Sequence, residues 1–182
     1  MRRISMGLVV ALIGACSAAS KDERPLTTAD IAGTVVLETY SLNLTWGYEL
    51  KGMYIDGDGG VWSYSQRGTP WYPEKLKPGE LSERDMLTKH RGATQIGTVD
   101  LQQLVEMARM IDSASRAPIT RGHGNGEGIG SLDVAYRFDR EKRVYSEVIL
   151  AGTGDQIASN PSASAAALRN YLREVERAVG EN

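Results

Sequence analysis

The segment Asp56-Gly57-Asp58-Gly59-Gly60 stands between two runs rich in β-branched and aromatic residues, 48–55 and 61–65. An Asp-Gly pair accepts the positive φ angles of a tight hairpin turn, and a short hairpin can join only antiparallel neighbours. This feature alone commits the chain to an antiparallel sheet. A two-residue loop at 58 and 59, or a four-residue loop at 57–60, gives one register, with Ile55 opposite Trp62 and Met53 opposite Tyr64. Those four side chains then share the core face, and Tyr54 and Ser63 take the other.

The remaining elements follow from periodicity. Residues 34–42 read as a strand, and the even positions Val36, Tyr40, Leu42, Leu44, Trp46, Tyr48 and Leu50 form an apolar row broken only by Glu38. Gly47 and Gly52 suggest a bend or bulge, so the first strand separates from the second near residues 43–47. Residues 66–81, with three prolines and two glycines, form a long loop with an aromatic tip. Ser82 with Asp85 has the spacing of a capping box, and Leu81 with Met86 that of a hydrophobic staple, so a short helix begins there. A second helix starts at Asp100, and its Leu101, Leu104, Val105, Ala108 and Ile111 keep helical spacing to about Ser115. Residues 131–138 and 143–151 read as another hairpin, and Asn160 with Pro161 caps a last helix lined by Leu168, Leu172, Val175 and Val179. The expectation is an α+β domain. It has a single antiparallel sheet of about five strands, helices packed on one face, and the order β-β-β-α-α-β-β-α.

The N-terminus carries a separate message. Arg2 and Arg3 precede an apolar stretch at 8–13, then Gly14, Ala15 and Cys16, and a polar segment follows. A basic end, an apolar centre and small residues before the cut are the parts of a secretory signal. Ile13-Gly14-Ala15-Cys16 resembles the lipobox of bacterial lipoproteins, with isoleucine where that family usually has leucine. The resemblance implies removal of residues 1–15, acylation of Cys16 and a lipid bilayer as partner. Residues 16–30 then read as a lipidated, flexible tether, and 31–182 as a single domain. A transmembrane helix fits less well, because a span needs about 20 predominantly apolar residues. Ser17 in place of an aspartate leans towards the outer membrane in Gram-negative bacteria. An exported, lipid-anchored protein at the periplasmic face of the outer membrane is the expectation.

Cys16 is the only cysteine, so no internal disulfide can form and core packing must stabilise the domain. Loss of Arg2 and Arg3 leaves 19 basic against 23 acidic side chains, a mild acidity that argues against a nucleic-acid partner.

The candidate sites are few. Asp56 and Asp58 match the first two ligands of an EF-hand loop, but Val61 and Arg67 stand where its glycine and bidentate glutamate belong, so a plain turn is favoured. Gly122-His123-Gly124-Asn125-Gly126-Glu127-Gly128-Ile129-Gly130 lacks the Lys-Ser/Thr of a phosphate loop and leads into a strand, which makes it a surface loop. No metal or cofactor is expected. His123 with Glu127 could serve proton transfer, whereas His90, at a helix end, complements the helix dipole. Eight of the twelve aromatics fall between residues 40 and 72, and most of these suit a strand core. Trp71 and Tyr72, in a proline-bracketed loop, are the candidates for binding, with Tyr54 beside them.

Trp46-Gly47-Tyr48, Tyr54-Ile55-Asp56 and Asp58-Gly59-Gly60-Val61-Trp62-Ser63-Tyr64, followed by a capped helix, resemble a group of small uncharacterised bacterial α+β domains. The resemblance covers about a third of the domain and implies fold rather than activity. The reading adopted is a non-catalytic binding module for an envelope protein, peptide or glycan. The alternatives are a small periplasmic hydrolase using His123 and Glu127, and a structural or assembly factor of the outer membrane.

Overall fold

The structure, a computed structural model, describes residues 24–68, 70, 77–124 and 126–180. Its elements in chain order are α1 (Thr28–Ile31), β1 (Val35–Asn43), β2 (Glu49–Asp56), β3 (Gly60–Arg67), β4 (Glu80–Ser82), α2 (Glu83–Lys89) and β5 (Thr94–Thr98). They continue with α3 (Leu101–Ser115), β6 (Thr120–Arg121), β7 (Ile129–Asp139), β8 (Val144–Gly154), β9 (Ala158–Ser159) and α4 (Ala163–Gly180). The strands form one antiparallel sheet in the order β5-β3-β2-β1-β7-β8-β9-β6, and β4 also pairs with β8.

The sheet has nine strands rather than about five. The five long strands stand where the sequence predicts them, and the difference lies in β4, β5, β6 and β9. These are two to five residues long and carry no apolar alternation, so period-2 reasoning has nothing to find in them. They occupy margins. β5 lines the outer side of β3, and β4 and β9 cover different stretches of the outer side of β8. Such short pieces shield the open hydrogen-bonding groups of longer strands. A second correction concerns the helices, which lie on both faces.

On one face α3 and α4 bury Leu104, Val105, Ile111, Leu168, Leu172 and Val175 against Leu37, Met53, Ile55, Val61, Val148 and Leu150. α3 begins where predicted, with the Asp100 carboxylate accepting from the Gln103 amide at 2.8 Å. α4 begins differently. Ser162, not Asn160, accepts from the N3 amide of Ala165. Asn160 is instead buried, and its Nδ2 donates to Ala114 at the end of α3 and to Ile149 of β8. On the opposite face α2 and β4 place Met86 and Leu81 against Leu132, Val134, Tyr136 and Tyr145. The predicted capping box is present, with Ser82 and Asp85 exchanging hydrogen bonds of 2.6–3.1 Å.

The hairpin is where predicted, but its register is not. Ile55 pairs with Val61 and Tyr54 with Trp62. The Asp56 carboxylate accepts from the amides of Asp58 and Gly60, at 3.0 and 2.7 Å, which makes a three-residue loop with Gly59 at φ +86°. An odd loop shifts the pairing by one residue, and one residue exchanges the two faces of a strand. Trp62 and Tyr64 therefore join Tyr54, while Met53 and Ile55 meet Val61 in the helix-side core. A bulge between Val35 and Leu37 does the same for β1. It sends both Val36 and Leu37 to the helix side and leaves Glu38 and Tyr40 facing α2.

The α1 segment, which overlaps the stretch read as tether, seats on the hairpin turn. The Gly57 amide donates to Thr34, and the Gly33 amide to Asp58. A Cβ at Gly57 would lie 1.7 Å from the Ile31 carbonyl oxygen. Gly57→Ala must displace α1 and is expected to cost about 1–3 kcal/mol in chemical denaturation, the range for overpacked sites. An unchanged midpoint would mean that α1 does not rest on the turn.

Candidate functional site

Two rows of paired residues cross the α2-facing side of the sheet. Glu38 pairs with Tyr54 and Val134, and Tyr54 with Trp62. In the next row Tyr40 pairs with Gly52 and Leu132, and Gly52 with Tyr64. Gly52 keeps that row open. A Cβ there would stand 2.8 Å from the Tyr40 Cβ and 2.9 Å from the Tyr64 hydroxyl. α2 lies across the rows, and the Gln66 amide of β3 holds its end by donating to the carbonyls of Thr88 and Lys89, both at 2.7 Å.

That placement delivers Lys89 and His90, consecutive residues at the end of α2, to one carboxylate. Glu38 and Lys89 are both 0 % exposed and His90 is 9 % exposed. Glu38 Oε2 accepts from Lys89 Nζ at 2.8 Å and from the Tyr136 hydroxyl. Its Oε1 accepts from the Tyr64 hydroxyl and faces His90 Nε2 at 3.1 Å. A carboxylate only accepts, so the Nε2 of His90 carries the proton. Lys89 Nζ also meets the Tyr136 hydroxyl at 3.1 Å and stands 3.8 Å over the Tyr40 ring.

Taking a carboxylate and an ammonium out of water costs several kcal/mol per ion, and only close pairing with full hydrogen bonding offsets it. Glu38 meets that condition with four donors from α2, β3 and β7 and the residue after α2. Burial pushes its carboxyl upwards, but the Lys89 charge and the bonds from His90 and Lys89 outweigh this and hold it well below the usual carboxylate range. Burial, then the charge of Glu38, raises the hydroxyls of Tyr64 and Tyr136 well above 10. Glu147, across from Tyr136 in the ladder, is pushed up by burial and accepts from Tyr40.

Above the cluster is an open cleft of about 250 Å³ whose lining includes Tyr54, Trp62, Met86, Leu87, His90 and Tyr145. Tyr54 stacks on His90 with ring centroids 4.1 Å apart, and on Trp62 at 6.2 Å with the planes 9° apart. Its hydroxyl is raised to about 12, first by burial and then by Asp56 and Glu38. Asp56, Asp58 and Glu83 stand at the margin. Asp56 fixes the indole by accepting from Trp62 Nε1 at 2.6 Å, and Glu83 pairs with Arg143. A larger cavity of about 910 Å³ lies on the helix side between α1, α3 and β7. Its arginines are occupied, Arg24 by Asp30, Arg109 by Glu106 and Arg137 by Asp112.

Glu38 spends its lone pairs inside the cluster, Lys89 is sealed from solvent, and the groups that reach the cleft are rings, aliphatic chains and carboxylates already bonded. Among the described residues no group of three or more His, Cys, Asp or Glu side chains is disposed to hold a metal, and no helix is long and apolar enough to span a membrane.

Of the residues singled out from sequence, Tyr54 lies in the cleft. Cys16, Trp71 and Tyr72 lie outside the described residues. His123 and Glu127 are exposed on the loop between β6 and β7. His90 is more than a helix end, since it joins the buried carboxylate to the cleft. Glu38, Lys89 and Trp62 were not singled out. The signal for Glu38 was its position in an otherwise apolar row, where a charge is retained only with partners.

Comparison with family models, with curated proteins and with solved structures finds no match.

Because Glu38 is depressed in the fold, its contribution to stability is complete above its unfolded value of 4.5 and is lost as the pH falls below it. Glu38→Gln is expected to lower stability at pH 7 and to flatten the decline between about pH 5 and pH 3. The slope that persists belongs to groups such as Asp30, held at about 2 by hydrogen bonds from Thr27 and Arg24. Urea midpoints across that range check it, and an acid limb of unchanged steepness contradicts the role given to Glu38.

Proposed function

We propose that the protein is a lipid-anchored envelope lipoprotein whose domain is a non-catalytic binding module, and that its ligand lies across the cleft of Tyr54 and Trp62. The observation that carries the binding reading is the sealed Glu38–Lys89 pair beneath an open pair of nearly parallel aromatic rings. Reactive groups are withdrawn, and flat apolar surface is presented. Carboxylates at the margin favour a ligand that also carries positive charge or hydroxyl groups, such as a basic peptide or an envelope glycan. The fixed indole of Trp62 and the Tyr54–His90 stack give a platform with little side-chain entropy left to lose on binding.

The anchoring half rests on the order of residues 1–16 and has its own readout. Palmitate fed to producing cells should label the wild-type chain and leave Cys16→Ala unlabelled; an unlabelled wild type ends the lipoprotein reading. For the binding half, short basic peptides and soluble cell-wall fragments are titrated against the folded protein. Binding by at least one class, weakened roughly tenfold or more by Trp62→Ala, is the expected result for an aromatic anchor. No binding, or an affinity indifferent to both Trp62→Ala and Tyr54→Ala, contradicts the cleft.

A further inference from the structure

The glycine-rich loop between β6 and β7 has no part in the cleft. It lies at the other end of the sheet, and its shape is set by one side chain. The Asp155 carboxylate, in the turn after β8, accepts from the amides of Gly126, at 2.9 Å, and Gly128. Gly124 packs so closely that a Cβ there would lie 2.4 Å from the Asp155 Cα. The same loop ties in the β1–β2 connection, where the Leu44 amide donates to the Gly128 carbonyl at 2.7 Å. The Gly122 amide donates to Ile157 at 3.0 Å, and the Asp155 amide to Ile129 at 2.8 Å. Three connections are thus knitted into one tip, with glycines where a side chain would force them apart.

That tip is apolar. Trp46 is 87 % exposed, Leu44 53 %, Ile129 41 % and Ile157 40 %, four of the seven large hydrophobic residues exposed among the described residues. Among the described residues its charges are few, and Arg121, exposed where the loop begins, is one of them. Arg67 beside it is paired with Glu49 at 2.8 Å, the Asp155 carboxylate is bonded to the loop, and His123 and Glu127 are exposed. We propose that this tip is a membrane-contact site that inserts Trp46, with Leu44, Ile129 and Ile157, into the interfacial layer of a zwitterionic bilayer.

Two considerations select a bilayer over a protein. The four side chains expose on the order of 400 Å², about half of what each partner buries in a standard protein interface. A bilayer has no such minimum, because an indole at headgroup depth with a few aliphatic side chains is a sufficient contact for a domain already held nearby. The second is geometry, and it rests on the proposed acylation of Cys16. Arg24 pairs with Asp30 of α1, and α1 seats on the β2–β3 turn, so the chain enters the domain at the end opposite the tip. Nine residues of β1 set the two ends roughly 30 Å apart. The eight residue steps from Cys16 to Arg24 reach at most about 28 Å, enough for the sheet to lie along the bilayer with a contact at each end. A single tether leaves a domain free to rotate; a second contact fixes which side the cleft presents. The exposed Glu127 favours zwitterionic over anionic lipid.

The test uses full-length, unacylated protein with phosphatidylcholine vesicles, so it does not depend on lipidation at Cys16. The emission that distinguishes wild type from Trp46→Phe isolates the tip. Acyl chains brominated near the headgroup should quench roughly half or more of that emission, and vesicles should shield it from acrylamide. Ile129→Asn with Ile157→Asn should abolish both effects, while circular dichroism reports an intact fold. Trp46 equally open to acrylamide with and without vesicles, or quenching that persists in the double variant, overturns the proposal.

Discussion

A single carboxylate, that of Glu38, organises the side of the sheet that carries the cleft. It accepts from Lys89, His90, Tyr64 and Tyr136, which lie 26 to 98 residues from it along the chain. Each donor is held in place by the need to keep that buried charge satisfied, since an unpaired ion in the same position would cost more than a helix of seven residues can return. α2 is short, and its other main holds are the apolar contact of Met86 with the sheet and the Gln66 hydrogen bonds to its last carbonyls. The ion pair fixes Lys89 at the end of α2, and the next residue, His90, presents its ring to Tyr54. Cleft and cluster are one construction, with the reactive atoms inside and the flat surfaces outside.

That construction depends on two small irregularities in the strands. The three-residue turn after Asp56 moves Trp62 and Tyr64 to the face of Tyr54, and the bulge at Val36 moves Glu38 to the same face. Remove either and the aromatic rows no longer meet the carboxylate. The glycines complete the device by absence. Gly52 leaves room for Tyr64 to reach across it, as Gly57 leaves room for α1. Strand sequences here encode position less through propensity than through these offsets.

Much of the architecture was legible in the residues, and the failures have physical causes. Capping boxes, helical spacing and Asp-Gly turns act over three or four residues, so Ser82, Asp100 and the turn at 56–60 could be read directly. Loop parity could not. The Asp56 side chain bonds two amides within its own turn, and that choice between an odd and an even loop reversed the inside and outside of β3. The four short strands carry no pattern because they exist to cover edges. Glu38 was visible as an interruption, but its partners lie 51 and 52 residues away at a helix end where lysine and histidine are ordinary surface residues. Long-range pairing of charges leaves no periodic trace. Of the aromatics at 40–72, Tyr54 and Trp62 line the cleft.

The central claim is that Glu38 and Lys89 stabilise the domain as a pair rather than as two separate side chains. A double-mutant cycle of Glu38→Gln and Lys89→Met, followed by urea denaturation at pH 7, measures this directly. Each single variant leaves a buried group stripped of its partner and is expected to cost about 3–5 kcal/mol, with the double variant costing little more than either, a coupling of about 3 kcal/mol. Losses that simply add, with coupling below about 0.5 kcal/mol, would contradict the account.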